Sequence, residues 1–232
     1  MHVRIEQDEY DPRYILNPAQ RLVIDPDFGT DGEDYEVLLA GTLGCAAANG
    51  IVLELGTRLG GGIANIVQAL LASNQSRPVV SVDPYGGLPY DAADDRIGEE
   101  LDYTNSMMHD AMSNIHLACR TTGVDFTFIN LTDTDFMDLY RDGVPVYQGG
   151  ERTVWNEYAL VHFDGPHSTV AVMAEAAFFN DRAGLESVFV FDDVESYAHD
   201  DVERFLFNRG WTSIRESKSK MAYKRTTAAE DL

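Results

Sequence analysis

The 232-residue sequence predicts a single α/β domain, a doubly wound, mostly parallel Rossmann-like sheet that closes with a C-terminal antiparallel hairpin. Three observations predict it. Short strand-like runs recur at 51–55, 78–83, 124–130, 158–164 and 187–193, and the continuous apolar character of the last two marks parallel strands covered on both faces. Stretches with helical spacing separate these runs, as right-handed crossovers require. The first run, IVLEL, leads directly into a glycine-rich turn, where a strand hands over to a helix.

Taken in order, residues 1–33 are rich in Asp, Pro and Gly and read as an N-terminal arm. The domain proper is expected over 34–225, opening with a helix at 34–48. After the strand at 51–55 comes a helix at 63–73, and after the strand at 78–83 an aromatic, acidic loop at 84–96. Ile97, Leu101, Met108, Met112 and Ile115 recur at helical spacing and predict a helix over 97–119. Residues 143–154 predict a small hairpin turning at Gly149-Gly150. Helices at 168–180 and 200–208 follow the last two parallel strands, two short strands around a turn fill 211–225, and 226–232 is expected to fray.

Composition narrows the function. With 39 acidic against 17 basic residues the net charge is −22, which repels a phosphate backbone and disfavours nucleic-acid binding. No apolar run is long enough to span a bilayer, and the first residues lack the pattern of a signal peptide. Cys45 and Cys119 are far apart and form no CxxC pair, so a disulfide framework or zinc site is not expected and a reducing cytoplasm fits best. A homo-oligomer is compatible with all of this.

The chemistry concentrates at strand ends. The segment from Glu54 to Gly62 (ELGTRLGGG) joins the first strand to its helix, where open parallel sheets bind ligands. The dinucleotide pattern GxGxxG is absent, because Asn65 stands where the third glycine is required. An acid followed by GxxxG suits the positive end of a ligand better than a pyrophosphate. Asp83 ends the next strand, and its carboxylate is an acceptor for both hydroxyls of a ribose. The fourth strand ends in FDGPHS and the fifth in FDD, so Asp164, Asp192 and Asp193 are expected at one edge of the sheet. Three converging carboxylates repel one another unless a cation sits among them, and hard divalent ions such as Mg²⁺ prefer oxygen ligands. On this reading Asp192→Asn firms the fold slightly by relieving repulsion.

VLELGTRLGGG followed by VVSVDPY resembles motifs I and II of the class I methyltransferases that use S-adenosylmethionine (SAM). FDGPHS and FDDV are similar to elements of the small-molecule O-methyltransferases related to macrocin O-methyltransferase and the cephalosporin-hydroxylase-like proteins. The resemblance covers roughly residues 35–200. It implies that Glu54, Gly56, Thr57, Gly60, Gly61, Asp83, Thr132 and Asp164 contact SAM, and that Asp164, Asp192 and Asp193 bind Mg²⁺. It departs from the family at Pro166, where Asp is frequent, at Thr169, where an aromatic residue is common, and at Gly62, where Ser is frequent.

The activity implied is Mg²⁺-assisted methylation of a small-molecule hydroxyl, with Asp164 or His167 taking the proton. Two alternatives remain open: a metal-free small-molecule N-methyltransferase, and a SAM- or nucleotide-binding module without catalysis. An NAD-dependent oxidoreductase is opposed by the missing GxGxxG and by the absence of a Tyr-x-x-x-Lys pair.

Overall fold

The computed structural model describes residues 34–227 and two short strands before them, β1 (Val3–Ile5) and β2 (Leu22–Ile24), which pair antiparallel. The rest of the expected N-terminal arm, and 228–232 of the expected frayed tail, lie outside the described residues. Thr226 and Thr227 each donate a backbone N–H to the carbonyl of Gly210.

From Tyr35 the chain runs α1 (Tyr35–Gly44), β3 (Ile51–Leu55), α2 (Gly61–Ala72), β4 (Val79–Val82), β5 (Gly86–Tyr90), β6 (Glu99–Tyr103), α3 (Asn105–Thr122) and β7 (Phe126–Ile129). It continues through α4 (Asp133–Leu139), β8 (Val144–Gln148), β9 (Glu151–Trp155), β10 (Tyr158–Phe163), α5 (Thr169–Asn180) and β11 (Val188–Phe191). It ends with α6 (His199–Phe207), β12 (Trp211–Glu216) and β13 (Met221–Arg225).

The central sheet has seven strands in the order β12-β13-β11-β10-β3-β4-β7. β11, β10, β3, β4 and β7 are parallel, and β13 runs antiparallel to both β11 and β12. The expected doubly wound sheet with a closing antiparallel hairpin is therefore what forms. The order reverses between β3 and β10, so a cleft opens beyond their carboxyl ends.

Each face of the sheet carries its own core. Ile51, Leu53 and Leu55 of β3 pack with α4, α5 and α6 through Phe136, Phe179 and Leu206. Val52 packs on the other face, with Ile66 of α2 and Ile115 of α3. Side chains alternate along a strand, so Glu54 falls on the α2 face with Val52. This parity decides what Glu54 can reach. Phe163 and Phe191 stack across β10 and β11 with centroids 4.4 Å apart, fixing the register from which Asp164 and Asp192 emerge.

Two expectations need correction. Residues 84–96 are not a plain loop, because β5 forms an antiparallel hairpin with β6. The helix expected over 97–119 begins only at Asn105, where the Thr104 hydroxyl accepts the N–H of Met107 as an N-cap. Gly98 at φ 69° and the β5–β6 pairing override the helical spacing of Ile97 and Leu101. The hairpin turning at Gly149-Gly150 forms as expected. Both cysteines are free, buried thiols. Among the described residues no helix is long and apolar enough to cross a membrane.

One buried acid makes stability depend on pH. Glu175 of α5 is fully buried, and the polar group that acts on its carboxyl is another acid, Asp133. Burial first, and then the negative charge of Asp133, hold its pKa well above the ordinary carboxylate value. The folded state therefore keeps a proton that the unfolded chain releases above about pH 4.5, so this group costs stability as pH rises. Glu175→Met is expected to stabilise the protein at neutral pH by about 1–3 kcal/mol. The gain in melting temperature over wild type should widen from pH 5 to pH 8, and a gain that does not change with pH contradicts the assignment.

Candidate functional site

A cavity of about 730 Å³ lies at the carboxyl ends of the strands, lined by Gly56, Asp83, Asp164, His167, Asp192 and Lys220 among others. Backbone bonds carry each strand end into it: Gly56 N–H to Val82 O at 2.8 Å, Asp164 N–H to Leu55 O at 2.9 Å, and Asp192 N–H to Phe163 O at 3.0 Å.

The turn after β3 is shaped by glycine. Gly56 has φ 84°, and a Cβ there would run into the backbone carbonyl of Asp164. Gly60, at φ 89°, caps α2, and Gly61 opens the helix at the cavity wall. The bare first turn of α2 thus presents backbone N–H groups and the positive end of the helix dipole.

Asp83 is 2 % exposed, and its Oδ2 accepts the backbone N–H groups of Thr57 (2.8 Å) and Arg58 (2.9 Å). Its Oδ1 is buried without a partner. Burial raises the pKa of this carboxyl, and the two N–H groups oppose that rise. Asp83 thus brings to the wall of a ligand-sized cavity a carboxylate with one oxygen still lacking a donor, which a hydroxyl or amine from outside the chain can supply.

Glu54 behaves differently from its sequence neighbours. It does not line the cavity, and its Oε1 is 3.0 Å from Nδ1 of His162, both side chains being fully buried under α2. A Cβ on Gly62 would collide with that carboxylate, so the glycine at this position makes room for the Glu54–His162 pair. Burial, then Asp83, raises the pKa of Glu54 well above its ordinary range, and burial lowers that of His162 to about 3.

Other expected cofactor residues act through backbone or local bonds. Thr57 lines the cavity while its hydroxyl is engaged by Ser81. The Thr132 hydroxyl caps α4, accepting the N–H of Asp135 at 3.0 Å and donating to its carboxylate at 2.8 Å.

Adjacent strands do bring Asp164, Asp192 and Asp193 to one edge, yet two of the three carboxylates already have partners. Asp192 forms an ion pair with Lys220, whose side chain is 1 % exposed. Asp193 lies 3.6 Å from Nε2 of His167. Burial favours neutral Asp192, but Lys220 and then His162 hold its carboxyl below the ordinary value. Among the described residues, the trio whose potential ligand atoms lie within 4.8 Å of one another is Glu54, His162 and Asp164, which shares only Asp164 with the expected set. Lys220 escaped sequence reading. A lysine next to a turn is usually solvated, and only the pairing of β13 with β11 carries it to Asp192.

The β5–β6 hairpin walls the cavity. The Tyr85 hydroxyl donates to the carbonyl of Arg58, the Tyr90 hydroxyl donates to that of Gly165, and Tyr85 packs edge-on against Phe128 at 5.9 Å. The hairpin is thus bonded to both loops that would enclose a ligand. Amide hydrogen exchange over 86–103 is expected to slow when ligand fills the cavity. Unchanged exchange at saturation would make the hairpin a passive wall.

No family model and no curated protein matches the chain in sequence. Solved structures do match. CalS11, a calicheamicin methyltransferase, aligns at TM-score 0.58 and 13% identity over 81% of this chain and 76% of its own. The O-methyltransferase TomG from Streptomyces achromogenes, solved with SAM, aligns at 0.51 and 14% over 91% and 84%. A ribosomal protein L11 methylase from Lactobacillus delbrueckii subsp. bulgaricus aligns at 0.51 and 12% over 95% and 91%. The chain has the fold of the class I SAM-dependent methyltransferases, with its cavity at the carboxyl edge where that sheet reverses its strand order.

Proposed function

We propose that this chain transfers a methyl group from SAM to a hydroxyl of a small molecule. The observation that carries the reading is the buried, unpartnered Oδ1 of Asp83 beside the Gly56 turn, which together form a ribose-accepting cradle. SAM supplies an activated methyl on a sulfonium, so the chain has to bind it, exclude water and align the acceptor oxygen. Asp83 accepts the ribose hydroxyls, and the turn from Gly56 to Gly61 admits the methionine end close to the backbone. His167, also lining the cavity, takes the hydroxyl proton, with Asp193 beside its imidazole to offset the charge. Asp164, which also lines the cavity, orients the acceptor.

Mg²⁺ enters this reading through the sequence resemblance alone. The three acids do not fit it as they stand, because Asp192 already holds an ammonium. Glu54, His162 and Asp164 fit it poorly as well, since Glu54 and His162 are buried against each other without lining the cavity and one ligand is nitrogen. No step is therefore routed through a metal. The likeness to TomG, an O-methyltransferase, favours an oxygen acceptor, and the net charge of −22 disfavours RNA. The test is titration calorimetry with S-adenosylhomocysteine (SAH) and with NAD. Saturable SAH binding without an NAD response supports the reading, and tight NAD binding with no SAH response rejects it.

A further inference from the structure

The turn that joins β12 to β13 is braced from several directions. Ser217 N–H donates to Lys220 O at 2.9 Å, and Lys220 N–H donates to the Ser217 hydroxyl at 3.0 Å. The Ser219 hydroxyl and N–H donate to the Asp34 carboxylate at 3.2 and 3.3 Å. Val194 N–H, two residues beyond Asp192, donates to Ser219 O at 3.1 Å. The turn is therefore tied both to the start of α1 and to the loop that carries Asp192 and Asp193.

This bracing treats two lysines of the same turn oppositely. The Lys218 side chain is 82 % exposed and meets Glu195 at the surface, whereas that of Lys220 is 1 % exposed. Burying an ammonium is costly unless it is paired. Lys220 meets Asp192 on one side, and the face of the Tyr35 ring lies 4.9 Å away on the other. Asp164 and Asp193 are also close enough to act on it electrostatically. All three acids that the sequence suggests for a divalent ion thus act on one lysine, Asp192 by direct contact.

We propose that Lys220 is the resident cation of the acceptor site, its ammonium seated on Asp192 in place of a divalent ion, so that the site works without a metal. This rests on the methyl-transfer reading for its purpose, though not for its test. The ammonium offsets the charge of the three carboxylates and fixes Asp192. A divalent ion entering there meets a like charge held at its best ligand. Lys220 is a positioning residue on this account, and the acid edge is a latent cation site that the hairpin turn keeps closed.

The experiment is Mn²⁺ binding followed by electron paramagnetic resonance on the protein alone, and again with SAH added. Wild type is expected to bind no Mn²⁺ at this site through the millimolar range. Lys220→Ala is expected to gain one Mn²⁺ site, roughly tenfold or more tighter than anything in wild type. Adding Asp192→Asn to that variant should abolish the gain. Wild-type binding of one Mn²⁺ that Asp192→Asn removes would overturn the proposal, as would a folded Lys220→Ala protein that gains no site. Should Lys220→Ala fail to fold, Lys220→Gln replaces it, and the comparison of wild type with Asp192→Asn still decides. SAH binding is read separately by calorimetry, so a failure of the methyl-transfer reading is distinguishable from a failure of the cation assignment.

Discussion

Gly56→Val is expected to abolish SAH binding and to lower the melting temperature. Two costs add. Gly56 sits at φ 84°, where a β-branched residue is strained by about 1–3 kcal/mol. A side chain there also meets the backbone carbonyl of Asp164 at the end of β10, which cannot swing aside as a flexible side chain would. Overpacking of this kind costs about 1–3 kcal/mol, so the total destabilisation is about 2–6 kcal/mol. At roughly 2–4 °C per kcal/mol for a domain of this size, the melting temperature falls by about 4 °C or more. Gly150 provides the control. It has φ 87°, but nothing lies within 4 Å of the added Cβ, so Gly150→Ala shows the backbone strain without the clash and leaves SAH binding intact. A Gly56→Val protein with wild-type SAH affinity would remove this turn from the cofactor site.

Lys220→Met is expected to destabilise the fold by about 3–5 kcal/mol, because it leaves Asp192 buried without its counter-ion. Asp192→Asn should cost a comparable amount by stranding the ammonium. This reverses the expectation from sequence, in which relief of carboxylate repulsion firms the fold. The reversal has a specific cause, namely that the cation is already in place. The double variant Asp192→Asn/Lys220→Met removes both charges and should recover most of the loss. Thermal melts of the four proteins form a double-mutant cycle that isolates the pair. A cycle that closes additively, with both single variants mild, would show that the ion pair contributes nothing.

The strands of the sheet were legible because burial on both faces forces continuous apolar runs, as in VLEL and VFVF. The glycines after β3 and the acid ending β4 were legible for a related reason: a ligand at the switch point demands both. The β5–β6 hairpin was not, because Leu101 continued the helical spacing of the residues after it and only pairing with β5 settles its state. α4 was missed for its brevity, although Thr132 followed by Asp135 was a capping signal that could have found it. Glu54 carried the right motif position, yet strand parity turned it under α2 to His162, a partner 108 residues away that no local pattern announces. Lys220 was invisible for the same reason. Its role depends on which lysine of one turn the hairpin buries, and that is decided by Asp34 and Val194 from distant parts of the chain.

Asp83 and the Gly56 turn are expected to hold the nucleoside of SAM. Calorimetric titration of SAH into wild type and Asp83→Asn tests it most directly, since asparagine keeps the shape of the side chain while removing its charge. Binding to wild type is expected to be saturable and one-to-one, weakened about 10- to 100-fold in the variant, consistent with about 1.5–3 kcal/mol for a hydrogen bond to a charged group. Equal SAH affinity in the two proteins, or no SAH binding to a folded wild type, would contradict it.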